Sequence, residues 1–215
     1  MFTNIDPQRV AQMTSIESRW LDNVKKAFAD SDYDFETNRM ADDCIETLFK
    51  GIDAAKKLRL SLLNTPGDLH SNNRARFIEF LELEIPSPDK NGRHITLKDI
   101  RNGLTRDWSV AEILYEIRCM IHENENLNES EPIDYHILLR WWDHGERFIA
   151  SQENSRLVIN ARLLWRRLRE ILSKFIMGIE ALEAMANSRG FSMTVRPERG
   201  SIQPTHRTKT DKAEQ

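Results

Sequence analysis

Two residues in one short stretch have the types and the spacing to do chemistry together. Leu114 to Leu127 reads LYEIRCMIHENENL, with Arg118 and His122 four positions apart. On an α-helix four residues is just over one turn, so both side chains share a face while Ile113, Ile117 and Ile121 point mostly elsewhere. An imidazole, with an unperturbed pKa of about 6.5, can move a proton to or from a ribose 2′-hydroxyl or a leaving oxygen. A guanidinium beside it can hold the phosphate and stabilise the charge that builds up in the transition state. Such a pair cuts RNA without a metal ion. The same spacing recurs at Arg140 and His144, around Trp141-Trp142-Asp143, and spacing alone does not choose between the two.

Other chemistries lack their residues. There is no Walker loop, no GxGxxG and no HExxH, and six histidines and two cysteines show no paired zinc spacing. Asp30, Asp32 and Asp34 mimic the start of a calcium loop, but Phe35 and Ala41 stand where it needs glycine and glutamate. The expectation is therefore no metal and no cofactor. A candidate RNA-backbone surface is the basic face of the last helix, Arg162, Arg166 and Arg169 with Arg156, Arg167 and Lys174 nearby. Its structural alternative is a solvated face pairing with Glu170. Trp141 and Trp142 could stack on bases, or serve as core or dimer interface beside Ile137 and Leu138.

Leu114-Tyr115-Glu116-Ile117-Arg118-Cys119, followed by His122-Glu123, resembles the signature helix of the HEPN domains, a family of small helical bundles. Many members are metal-independent ribonucleases of toxin–antitoxin, abortive-infection and CRISPR systems, and others are inactive. The specific likeness covers this one segment. Its spacer, Cys119-Met120-Ile121, is one residue shorter than the family's usual minimum, and Cys119 stands where a polar residue is usual. The resemblance implies a homodimer with Arg and His of both subunits lining one cleft, Arg118 binding phosphate and His122 transferring the proton. It also implies an antitoxin or defence-system partner. A non-catalytic interaction or regulatory module of the same shape is the rival.

Helices must position these residues. The chain has 215 residues, 40% of them apolar and 30% charged, a length that suits one domain able to bury a full core. Leucine outnumbers valine twenty-one to five, which favours helix over sheet. Asp6 and Pro7 open a first helix whose stripe runs Val10, Met13, Ile16, Trp20, Val24 and Phe28, ended by an acidic turn at Asp30 to Asp34. Further helices are predicted from Phe35 to Leu63, from Asn73 to Leu83, from the capping box Ser109-Val110-Ala111-Glu112 to about Asn124, from Pro132 to Asp143, and from Ala161 to Asn187. Leu81 to Ile85 could instead be a short strand, Thr96 could cap one turn or two, and Arg156 to Asn160 reads as an edge strand.

The predicted fold is all-α: a bundle of five or six helices over residues 1–188, with at most one short strand pair. Residues 189–215 carry six basic and three acidic residues and read as a disordered basic tail. The net charge of −3 excludes a globally basic nucleic-acid coat but not a local patch. With two sparse cysteines, no signal-peptide pattern and no apolar run near the roughly 18 residues of a membrane span, the expectation is a soluble cytoplasmic protein.

Overall fold

Thr14 and Glu17 decide how the chain begins. The computed structural model describes residues 2, 4–36, 41–63, 73–83, 95–98, 105–121, 136–140, 149–153 and 156–190. Asp6 caps α1 (Pro7–Ala11), accepting from the Gln8 amide at 2.9 Å. The stripe then breaks, because Thr14 and Glu17 form a capping box that starts a new helix, α2 (Ser15–Glu36). The Glu17 amide donates to Thr14 Oγ1 at 3.2 Å and the Thr14 amide donates to Glu17 Oε2 at 2.7 Å. The expected single first helix is therefore two. The acidic cluster does not end it either: α2 continues through Asp30, Ser31 and Asp32, where Arg169 from the last helix supplies a counter-charge.

The second long helix is α3 (Ala41–Leu62), within the predicted Phe35–Leu63 span, although Phe35 itself belongs to α2. It runs antiparallel to α2: Ser61 donates to Glu17 at 2.5 Å near one end, while Ala27 meets Gly51 farther along. At Gly51 three helices meet closely. A Cβ built there would lie 2.7 Å from Leu172 Cδ1 and 2.8 Å from the Ala27 Cβ. The remaining helices are α4 (Asn73–Glu82), α5 (Val110–Ile121) and α6 (Ala161–Ser188). Helix, not strand, is what Leu81 and Glu82 adopt.

Two starts follow the predicted chemistry. Ser109 and Glu112 exchange their hydrogen bonds at the head of α5, at 2.8 and 3.2 Å. Asn160 Oδ1 accepts from the Leu163 amide at 3.2 Å and caps α6. Leu48, Phe49, Ile52, Phe77, Phe80, Ile113, Ile117, Leu168, Leu172 and Phe175 from these helices fill one core. The fold is a helical bundle, with six helices among the described residues.

Strand content exceeds the expected single pair. β1 (Ile95–Lys98) and β2 (Thr105–Trp108) form an antiparallel pair in place of the turn expected at Thr96. β3 (His136–Arg140), β4 (Ile149–Glu153) and β5 (Arg156–Asn160) form a second sheet in the order β3-β5-β4. β3 replaces the central part of the helix expected from Pro132 to Asp143. Its five residues pair in parallel with β5, each with a partner twenty positions on that periodicity within the segment does not register. β5 is the central strand rather than an edge, which agrees with the continuous burial of Leu157, Val158 and Ile159. Of the tail expected from 189 to 215, only Arg189 and Gly190 fall within the described residues.

Two outcomes follow. Gly51→Ala should lower the unfolding free energy by about 1–3 kcal/mol in chemical denaturation, despite alanine's better helix propensity, because Leu172 and Ala27 are buried and the Ala27 Cβ moves only with its backbone. Glu17, almost fully buried, takes hydrogen bonds from Ser61, the Thr14 amide and Arg9; these outweigh the upward pull of burial and hold its pKa below the ordinary value. A carboxylate with a depressed folded pKa stabilises above its unfolded pKa and loses that contribution as pH falls through the folded value. Stability should therefore drop from about pH 4.3 downward, and Glu17→Gln should flatten that acid limb while lowering stability at pH 7.

Candidate functional site

Asp53 is the point at which charges from two helices meet. On α3 its Oδ2 accepts from Nε of Arg118, reaching in from α5, at 2.8 Å, and forms an ion pair with Nη2 at 2.8 Å. Its Oδ1 accepts from Nζ of Lys56, one turn along α3, at 3.1 Å. Lys56 Nζ also donates to Asn73 Oδ1, the first residue of α4. Lys56 is 1% exposed and Arg118 8%, so this network sits inside the bundle, not on its surface. Its walls are aromatic: the Arg118 guanidinium lies 5.6 Å from the Phe77 ring centre and 5.8 Å from that of Tyr115, and Lys56 Nζ lies 5.7 Å from Phe77.

Burial and charge pull in opposite directions here. Burial lowers the Lys56 pKa most, assisted by the like charges of Arg118 and Lys57 and opposed by Asp53. Burial works against the Arg118 charge too, but Asp53 outweighs it and the pKa rises. Burial, with Glu116 nearby, pushes the Cys119 thiol up, away from the reactive thiolate form.

Above this network opens a cleft of about 260 Å³ between α2 and α3. Trp20 and Asn23 of α2 face Lys50, Asp53, Ala54 and Lys57 of α3 across it, and Arg118 reaches it from α5. Lys50 is paired with Glu46 at 2.7 Å. The lining thus carries three lysine or arginine side chains and one carboxylate, with Arg118 paired to Asp53 and Lys57 unpaired among the described residues.

The predicted site residues divide. Arg118 is buried and ion-paired, not exposed on a polar helix face: α5 is covered on nearly all sides, from Val110 to Arg118. His122 directly follows the last residue of α5 and lies outside the described residues. Arg140 is exposed at the end of β3, not on a helix, and His144, Trp141 and Trp142 lie outside the described residues. Of the proposed RNA-contacting face, Arg166 is exposed and Arg162 half-buried. Arg169 is tucked against α2, donating to the Phe28 carbonyl at 2.9 Å and Ser31 Oγ at 3.0 Å, reaching Asp32 at 3.2 Å, and stacking 4.2 Å over Phe28 and 5.1 Å from Trp165. Arg167 and Lys174 both bind Glu170, at 3.0 and 2.9 Å, and the Lys174 hydrogen bond leads in lowering its pKa. Among the described residues no three His, Cys, Asp or Glu side chains come together as a metal site, and no helix is long and apolar enough to cross a membrane.

Asp53, Lys56 and Lys57 escaped sequence reasoning, and Trp20, expected on an apolar stripe, was not placed at the site. One signal was present: Lys56 stands four residues after Ile52 and seven after Phe49, on the apolar stripe of α3, where a charge needs a buried partner. No protein-family model, curated protein or solved structure matches the chain.

Two arginines on α6 should behave differently. Arg169→Ala should cost about 2 kcal/mol of stability through its lost hydrogen bonds and ring contacts. Arg166→Ala should stay within about 0.5 kcal/mol of the parent in the same denaturation assay.

Proposed function

We propose that the protein is a HEPN-like RNA-binding module that cleaves RNA without a metal ion, as a homodimer in the cytoplasm, within a toxin–antitoxin or phage-defence setting. One observation carries this reading: Arg118, the residue the family resemblance singles out, reaches an anion-attracting cleft shared with Lys50 and Lys57. Asp53 fixes the orientation of its guanidinium through Nε and Nη2, so its remaining donors are held ready for a phosphate without loss of side-chain entropy on binding. In this reading His122 takes the proton from the ribose 2′-hydroxyl and the guanidinium meets the charge on the phosphorane-like transition state.

The burial of Arg118 favours a second reading, an inactive helical interaction module in which Arg118 only ties α5 to α3. The two readings part in a cleavage assay on single-stranded RNA. An imidazole–guanidinium site should cut RNA in EDTA, leave a 2′,3′-cyclic phosphate or its hydrolysis product, and spare DNA. His122→Ala should slow it by about 10²-fold or more. Arg118→Lys, which keeps the charge against Asp53 but loses the planar fork, should also slow it, whereas Arg118→Ala should unfold the site and is the poorer test. No RNA cleavage by the parent chain, as monomer or dimer, would leave the interaction-module reading standing.

A further inference from the structure

We propose that the α2–α3 cleft is a nucleoside-phosphate subsite, with the Trp20 ring against the base and Lys57 and Arg118 on the phosphate. The inference takes its ligand class from the RNA reading above but does not depend on cleavage.

Four observations support it. First, the charges are out of balance in one direction. Asp53 is already shared by Arg118 and Lys56, Lys50 is paired with Glu46, and Lys57 has no hydrogen bond or ion pair among the described residues. A phosphate entering between Lys57 and Arg118 would relieve the mutual repulsion that now works on Lys56. Second, an indole borders these cations. Trp20 is half-buried against the core, so its ring is already held in place, as a stacking surface needs to be. Third, Asn23 lies one turn from Trp20 on α2 with its amide unengaged among the described residues, and it offers both a donor and an acceptor to a base or sugar edge. Fourth, the size sets an upper limit of one unit. At about 260 Å³ the cleft lies just below the roughly 300–1,000 Å³ of ordinary ligand pockets, so it suits no more than a single nucleotide, and further chain would continue outside. A simple carboxylate would use the cations but leave the ring without a role.

Isothermal titration calorimetry on the full chain tests this, with AMP, adenosine, inorganic phosphate, a hexaglutamate peptide and a 2′-O-methyl oligoribonucleotide that cannot be cut by its own 2′-oxygen. AMP should bind at least about tenfold more tightly than adenosine or phosphate, since both ring and charge are engaged. Lys57→Glu should weaken AMP by about tenfold or more, and Trp20→Leu by a similar factor, with Trp20→Phe restoring most of it if the leucine variant is poorly folded. An oligoribonucleotide that binds more tightly than AMP marks RNA as the source of the unit, and AMP binding as tightly or better marks a free nucleotide. Equal binding of phosphate and AMP, displacement of AMP by hexaglutamate, or AMP affinity unchanged by Lys57→Glu overturns the subsite. AMP binding without RNA cleavage leaves the subsite and removes the nuclease reading. Cleavage at an undiminished rate by Lys57→Glu, with no AMP binding, does the reverse.

Discussion

A single carboxylate, Asp53, holds together charges that the bundle could not otherwise bury. Lys56 and Arg118 lie almost wholly out of water, and without a counter-ion either would cost several kcal/mol to keep there. With Asp53 between them, and with Asn73 on the far side of Lys56, the network ties α3 to α5 and to the first residue of α4. Phe77 and Tyr115, edge-on to each other at 5.5 Å, close it off from the apolar core. The same constraint creates the cleft. Arg118 and Lys56 engage both oxygens of Asp53, and the neighbouring Lys57, on the lining of the groove between α2 and α3, has no ion pair among the described residues.

In the proposed reading, structure and chemistry share one side chain. An arginine that only bridged two helices would need no open space beside it, and one that only bound phosphate would need no burial. Arg118 has both, through a guanidinium whose planar fork can satisfy a carboxylate on one edge and present donors on another. The last helix shows the contrasting case. Its arginines looked equivalent by spacing, yet Arg169 is consumed by α2 and Arg167 pairs with Glu170, which leaves Arg166 as an exposed member with no ion pair among the described residues.

What the sequence made legible was local. The capping residues Asp6, Ser109, Glu112 and Asn160 placed three helix starts, because each bond spans at most a few residues. The box at Thr14 and Glu17 was equally legible and was masked by an apolar stripe that runs on through the break. What sequence reasoning missed was non-local. β3 exists through its pairing with β5, α2 survives its acidic stretch through Arg169 on α6, and Arg118 is buried through Asp53, sixty-five positions earlier. The placement of Arg118 and His122 on one helix face assumed a one-sided α5. From Val110 to Arg118, α5 is enclosed nearly all round, while His122 lies outside the described residues.

The coupling between Asp53 and Arg118 is the quantity on which this account rests, and a double-mutant cycle measures it. Asp53→Asn, Arg118→Met and the combined variant would be compared with the parent by denaturant unfolding at pH 7. If the carboxylate holds the guanidinium as described, the combined loss should be smaller than the sum of the single losses by about 2 kcal/mol, since the second substitution removes a group already stranded by the first. Losses that add to within about 0.5 kcal/mol would mean that the pair is not coupled, and that the network does not organise the site.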